Sequence, residues 1–276
     1  MKAVVIGAGS GIGLEVAKLF AERGYEVIAA DITADAVSQL AKDIGGRASA
    51  LDITDTAGIE RLAAEAGSID VLVLTAGLSA TMASYERIFA VNLVGTAAAV
   101  DAFLPHINQG GAVICTASIS GHMAVANASE QVITLLDKPD TPDIAAKIAD
   151  LVPEASPGLA YALSKLAILR LVERLAGAFG RKGVRICSVS PGCTDTPMGN
   201  LEMDTSGRAR EAIPHGPIPR AGSPKETAEA MVFLASPAAS YITGCDLLVD
   251  GGWMGDIRAH ADSSPLGHVL TVGQSK

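Results

Sequence analysis

Aromatic side chains are scarce in this sequence, at 4% of 276 residues, and Trp253 is the single tryptophan. A core of this size must therefore be filled by aliphatic packing, and Ala, Val, Ile, Leu and Gly dominate the chain. That composition suits a parallel sheet buried on both faces by helices. Cys115, Cys187, Cys193 and Cys245 are scattered, with no CxxC spacing. The scatter excludes a disulfide framework and a clustered thiolate site, so no metal is expected. Cationic clusters are missing too: the formal charge is −9, and Lys and Arg concentrate nowhere. Phosphate backbones would be repelled, so no nucleic-acid partner is expected. We read no apolar stretch of about 20 residues, and no basic segment followed by an apolar core and a cleavage site. No membrane association and a cytoplasmic location are the resulting expectations.

What the sequence does contain is alternation. The apolar runs Ala3–Ile6, Glu26–Ala30, Ala48–Leu51 and Val71–Leu74 read as strands. Between them Leu14–Arg23, Ala34–Ile44 and Ile59–Ala66 carry helical spacing. Further on come a long helix over Glu86–Ile107, a strand over Ala112–Thr116, a helix over Ala160–Phe179 and a strand over Val184–Val189. A helix over Thr227–Ala235 and a strand over Leu247–Val249 follow. This is the pattern of βαβ units. The expected fold is α/β, a Rossmann-type doubly wound parallel sheet of about seven strands with helices on both faces, in one domain over 1–276. Two stretches break the rhythm. Residues 122–157 hold four prolines around two short helical pieces, Gln131–Leu136 and Ile144–Val152, and read as an inserted helical segment. Residues 197–224, rich in Pro, Gly and charge, read as a mobile substrate loop.

Gly7-Ala8-Gly9-Ser10-Gly11-Ile12-Gly13 lies between the first strand and the first helix. Glycines permit a tight turn and close backbone approach to a pyrophosphate, while the helix start supplies unpaired N–H groups. A plain strand-to-helix turn has a similar look, but Asp31 at the end of the second strand adds a second sign. A carboxylate there accepts hydrogen bonds from both ribose hydroxyls and repels a 2′-phosphate, which favours NAD over NADP. Tyr161-Ala162-Leu163-Ser164-Lys165 opens a helix, so the phenol and the ammonium share one face. A nearby cation lowers a phenol's pKa from about 10, which makes Tyr161 a candidate general acid/base.

The glycine spacing and the YxxxK pair together resemble the short-chain dehydrogenase/reductase family in its compact form. Further motifs follow in that family's order, from residue 3 to about 252. They are Leu51-Asp52-Ile53-Thr54, Thr75-Ala76-Gly77 where the family usually has Asn-Ala-Gly, and Val91-Asn92-Leu93. The strand ending in Ser118, Pro191-Gly192-Cys193-Thr194-Asp195-Thr196 and Asp250-Gly251-Gly252 complete the set. The resemblance implies an oxidoreductase that moves a hydride between a nicotinamide and an alcohol or ketone carbon. It implies that Ser118 orients the substrate oxygen and Tyr161 exchanges its proton. Lys165 would lower the tyrosine's pKa and hold the nicotinamide ribose, and Asn92 would position a water beside Lys165. Cofactor contacts would come from Gly7, Ser10, Gly11, Ile12, Gly13, Asp31, Asp52, Ile53, Ala76, Gly77, Tyr161, Lys165, Pro191, Gly192, Thr194 and Thr196.

The interval from Ser118 to Tyr161 is 43 residues, far longer than compact members usually show, and the stretch between Gly77 and Asn92 is short. This combination resembles the branch that includes bacterial 3α-hydroxysteroid dehydrogenase/carbonyl reductase. Leu78, Ile119, Cys193, Met198 and Trp253 are expected to line a substrate pocket, with Cys193 as a wall residue and no activated thiolate. Such a lining suits a hydrophobic alcohol or ketone, steroid-like or cyclic. A dehydrogenase of small polar alcohols or polyols, and a non-catalytic NAD-binding sensor or scaffold, are the rival readings. An insertion before the Tyr161 helix should reshape one family interface, so a homodimer through Thr227–Val249 is expected.

Overall fold

Seven parallel strands, β1 (Lys2–Ile6), β2 (Glu26–Asp31), β3 (Arg47–Ala50), β4 (Ile69–Leu74), β5 (Ile107–Thr116), β6 (Arg185–Pro191) and β7 (Asp246–Val249), form one sheet. Their order is β3-β2-β1-β4-β5-β6-β7. The computed structural model describes residues 1–125 and 128–260, and the tail from residue 261 lies outside them. Val4, Val5, Leu72 and Val73 have no exposed surface, because helices cover the sheet on both sides. On one face α1 (Gly11–Glu22), α2 (Ala34–Ile44) and α12 (Pro224–Ala235) pack Phe20, Leu40 and Met231 over Val5, Val73 and Ile114. On the other, α3 (Thr56–Ala66), α5 (Thr96–Phe103) and α9 (Pro157–Arg181) pack Leu62, Phe103 and Val172 over Leu72 and Val113.

Strand order reverses between β1 and β4. The chain leaves β1 toward β2 on one side and returns from β3 to β4 on the other. A crevice therefore opens at the carboxyl ends of these two strands, where doubly wound sheets bind ligands.

The long helix expected over Glu86–Ile107 is a stack of four pieces. It runs from α4 (Tyr85–Phe89) through a π-helical turn, Ala90–Gly95, into α5, and ends in a 3₁₀ turn, Leu104–His106. Contrary to the expectation of no such run, Tyr85–His106 is long and apolar enough by composition to cross a membrane. Phe89, Leu93 and Phe103 are fully buried, so its apolarity serves the protein core.

Residues 197–224, expected as a mobile substrate loop, contain helices that the sequence reading did not foresee. They form α10 (Pro197–Ser206), α11 (Arg208–Ala212) and a 3₁₀ turn, Ile213–His215. The cause is local: Pro197 sits at the first helical position with its φ already set, and the Thr196 hydroxyl accepts the Gly199 N–H at 3.0 Å. The insertion holds the end of α6 (Ile119–Ala124), then α7 (Glu130–Leu136) and α8 (Ile144–Ala149). Val132, Leu136, Ile144 and Ile148 are buried with Ile88 and Phe89 of α4 and Leu163 and Ala167 of α9. Arg170 of α9 grips the Asp137 carboxylate with two bonds of 2.7 and 2.6 Å. The insertion is a packed layer of the molecule.

Candidate active site

The glycine turn can exist only because of its glycines. Gly7 has φ +96°, and a Cβ there would lie 2.2 Å from the Ala76 nitrogen. A Cβ on Gly13 would lie 2.1 Å from the Gly7 carbonyl oxygen. β1 and β4 thus touch at the base of the crevice. Thr75, the departure from the family's usual Asn, stitches this contact: its hydroxyl lies 3.1 Å from the Ile6 and Gly7 carbonyl oxygens. Helix α1 starts within the turn at Gly11. Ser10 precedes it in extended conformation, and its side chain makes no capping bond. The first-turn N–H groups of α1 are therefore left to a ligand.

Asp31 stands at the tip of β2. Its carboxylate accepts the N–H groups of Gly9 and Thr33, both at 2.9 Å, which fixes it beside the glycine turn. Asp52 accepts from the Thr54 N–H at 2.9 Å, the Thr54 hydroxyl at 2.8 Å and Arg87 at 2.8 Å. Partial burial works against its ionisation, but these donors outweigh it and hold its pKa below the usual carboxylate range. Arg87 was not foreseen as a neighbour of the cofactor region. The short connection after Gly77 brings α4 close enough for it to reach Asp52.

Ser118 ends the loop after β5 in extended conformation and caps α6, accepting the Ser120 N–H at 3.2 Å. Its hydroxyl is hydrogen-bonded to the Tyr161 phenol. Lys165, one helical turn after Tyr161, lies 5.9 Å from the phenol ring centroid and donates to the Thr116 carbonyl oxygen at 2.8 Å. Burial pushes this ammonium down to about 8. The phenol moves opposite to the expectation from YxxxK. Burial first, then the Glu202 carboxylate, push it up to about 12, against a lowering bond with Ser118. Burial is the main reason, and geometry adds to it: the Lys165 ammonium is engaged by a backbone carbonyl, while an acid foreseen by no motif faces the phenol.

Asn92 lies on the π-helical turn and is buried. Its amide clasps the Leu78 peptide, accepting the N–H at 2.8 Å and donating to the carbonyl at 2.9 Å. It also donates to Ser164 Oγ at 3.1 Å. A Cβ on Gly77 would sit 3.4 Å from Asn92 Oδ1 and 3.6 Å from Lys165 Nζ, ordinary contact distances that place the three groups side by side.

Every candidate site residue named from the sequence, except Asn92, lines one cavity of about 800 Å³. Thr196 closes it across the glycine turn, with its methyl 3.2 Å from where a Gly11 Cβ would be. Thr194 is buried and bonds the Gly192 carbonyl at 3.1 Å. Leu78, Ile119, Cys193, Met198 and Trp253 are all present in the lining, as expected. Burial and Glu202 raise the Cys193 thiol to about 11, which keeps it protonated. Met82, Met123 and Met203 join that lining and were missed, as was Glu202.

Comparison with known proteins now decides the family. Residues 1–130 match the model described as short chain dehydrogenase, and residues 146–254 match that described as enoyl-(acyl carrier protein) reductase. A curated relative, cis-4-hydroxycyclohexanecarboxylate dehydrogenase of Sinomonas cyclohexanicum, is 34% identical over 91% of this chain and 95% of its own length.

The chain belongs to the short-chain dehydrogenase/reductase family.

It is an oxidoreductase acting on alcohol groups with a nicotinamide cofactor. The 3-alpha-hydroxysteroid dehydrogenase/carbonyl reductase of Comamonas testosteroni is 31% identical over 90% of this chain and 95% of its own length. The solved structure of a 3-alpha-hydroxysteroid dehydrogenase from Pseudomonas sp. B-0831 complexed with NADH superposes with a TM-score of 0.78. It is 29% identical and covers 95% of this chain and 100% of that one. Other relatives of this short-chain enzyme, at 31 and 33% identity, are named as polyol dehydrogenases.

Proposed function

We propose that this protein is an NAD-dependent dehydrogenase/reductase of hydrophobic, cyclic secondary alcohols and ketones. The observation that carries this reading is the Ser118–Tyr161 hydrogen bond at the apolar end of a cavity whose other end holds Asp31. When bound, the nicotinamide supplies or accepts the hydride. The chain does the rest. Ser118 and Tyr161 hold the substrate oxygen between two hydroxyls, and Tyr161 donates its proton in reduction or takes one in oxidation. Lys165 contributes a buried positive charge beside the phenol and the ribose site, and Asn92 positions the Leu78 peptide next to it. The first turn of α1 and the Gly7–Gly13 backbone fit a pyrophosphate, and Asp31 fits ribose hydroxyls while opposing a 2′-phosphate. The walls of Leu78, Ile119, Met123, Met198 and Trp253 favour an apolar ring over a polyol, which would leave its hydroxyls facing hydrocarbon. A homodimer completes the proposal.

The test is nicotinamide absorbance across a panel of steroids, cyclic ketones and polyols, with Tyr161→Phe as control. Turnover of cyclic substrates that vanishes in the control is the expected result. Preference for polyols would replace the substrate class, and cofactor binding without any turnover would leave a sensor or scaffold.

A further inference from the structure

The substrate end of the cavity contains one carboxylate that no motif of the sequence called for. Glu202 lies on α10 and lines the cavity together with Leu78, Ile119, Met123, Met203 and Trp253. It is held in place from the opposite side of the cleft. Ser79, fully buried in the loop after β4, donates its hydroxyl to Glu202, and the Ala80 N–H donates as well. A serine has one hydroxyl proton, so with that proton on Glu202 the 3.1 Å contact between Ser79 and Thr81 makes Thr81 the donor. The chain Thr81→Ser79→Glu202 points its protons toward the carboxylate, which is the polarity an anion requires. Burial raises the Glu202 pKa, and the hydrogen bonds from Ser79 and Ala80 oppose that rise. The charge reaches the reacting groups, since Glu202 raises both the Tyr161 phenol and the Cys193 thiol.

Resting on the dehydrogenase reading above, we infer that Glu202 is a specificity-determining residue that restricts the pocket to uncharged or cationic cyclic substrates and excludes carboxylates and sulfates. A low-dielectric pocket holding a fixed negative charge makes a second anion costly, whereas a neutral ring is admitted on its shape and apolarity. The five neighbours of Glu202 named above are apolar and offer an anion no compensating charge, and the two cations that line the cavity are already engaged, Lys165 by the Thr116 carbonyl oxygen and Arg87 by the Asp52 carboxylate.

The experiment compares 4-methylcyclohexanone with 4-oxocyclohexanecarboxylate in the wild type and Glu202→Gln. The wild type should prefer the neutral ketone in kcat/KM by at least about tenfold, expressed mainly in KM. Glu202→Gln should erase most of that preference by improving the anion's KM, with the affinity for NADH unchanged. An unaltered preference in Glu202→Gln, or equal use of both ketones by the wild type, overturns the inference while leaving the dehydrogenase reading intact. Turnover of neither ketone nor any other panel member strikes that reading itself. Should the variant not fold, competitive inhibition of the wild type decides. Cyclohexanecarboxamide should bind at least about tenfold tighter than cyclohexanecarboxylate, and the reverse order overturns the inference.

Discussion

Lys165 donates to the main-chain carbonyl of Thr116 at 2.8 Å and is almost fully buried there. Its charge is kept for chemistry at the cost of stability. Its folded pKa of about 8 lies below the usual value of 10.5, so from about pH 8 to 10.5 the unfolded chain holds more protons. Stability must then rise with pH across that window and fall as pH drops through it. Lys165→Met should lose catalysis by at least about a hundredfold. It should also raise unfolding stability at neutral pH by about 1–2 kcal/mol. Thermal melts of both proteins from pH 7 to 10 check this: the gap should narrow toward pH 10, and a less stable variant would contradict it.

The Tyr161 phenol, near 12 in the free protein, should titrate far above the usual range in an ultraviolet difference titration against Tyr161→Phe. Glu202→Gln should lower its pKa, because Glu202 is the main charge raising it. Tyr161→Phe should reduce kcat by about 10²–10⁴ with cofactor affinity retained. A phenol titrating at its ordinary value in the wild type would show that the buried arrangement around it is wrong.

Asp31 should govern cofactor choice. A carboxylate fixed by two N–H donors beside the ribose site makes a 2′-phosphate costly by several kcal/mol, so NAD should exceed NADP in kcat/KM by about a hundredfold or more. Asp31→Ser should shrink that ratio mainly through the KM for NADP. Equal use of both cofactors by the wild type would dismiss this role.

The face made by α12 and the chain before β7 should pair with a second copy. Tyr241 is fully exposed there and Phe233 is 43% exposed. Light scattering should give about twice the chain mass of 28.0 kDa, and Phe233→Glu with Tyr241→Lys should halve it. A wild-type mass of one chain would refute the dimer.

Most of the sheet, and the glycine-turn, catalytic and nicotinamide-side parts of the cavity lining, were legible in the sequence, because period and glycine spacing are direct consequences of backbone geometry. The failures are equally physical. The first turns of α9 and α12 were read too late. Ser156 and Ser223 act as N-caps, with Pro157 and Pro224 at the first helical positions, and Ser223 forms a capping box with Glu226. That signal was available in both sequences of residues. The π-helical turn at Asn92 was not, since an i→i+5 bond leaves no pattern of residue types. The proline-rich composition of 197–224 concealed α10, and without a helix Glu202 had no face and no neighbours. Its partners Ser79 and Ala80 are more than a hundred residues away in sequence, a distance no local motif spans.

The packed layer of α7 and α8 also bears on how the chain reaches its fold. Ser118 and Tyr161 must be brought together by closing the stretch of chain between them, and α6 contacts α9 directly. Loop-closure entropy grows only with the logarithm of length, about 0.6 kcal/mol for each doubling. Lengthening this interval therefore adds little to the cost of closure, and burying Val132, Leu136, Ile144 and Ile148 offsets it. The interval is thus a place where chain can be gained without parting the two hydroxyls, provided the added residues bring their own apolar face to α9.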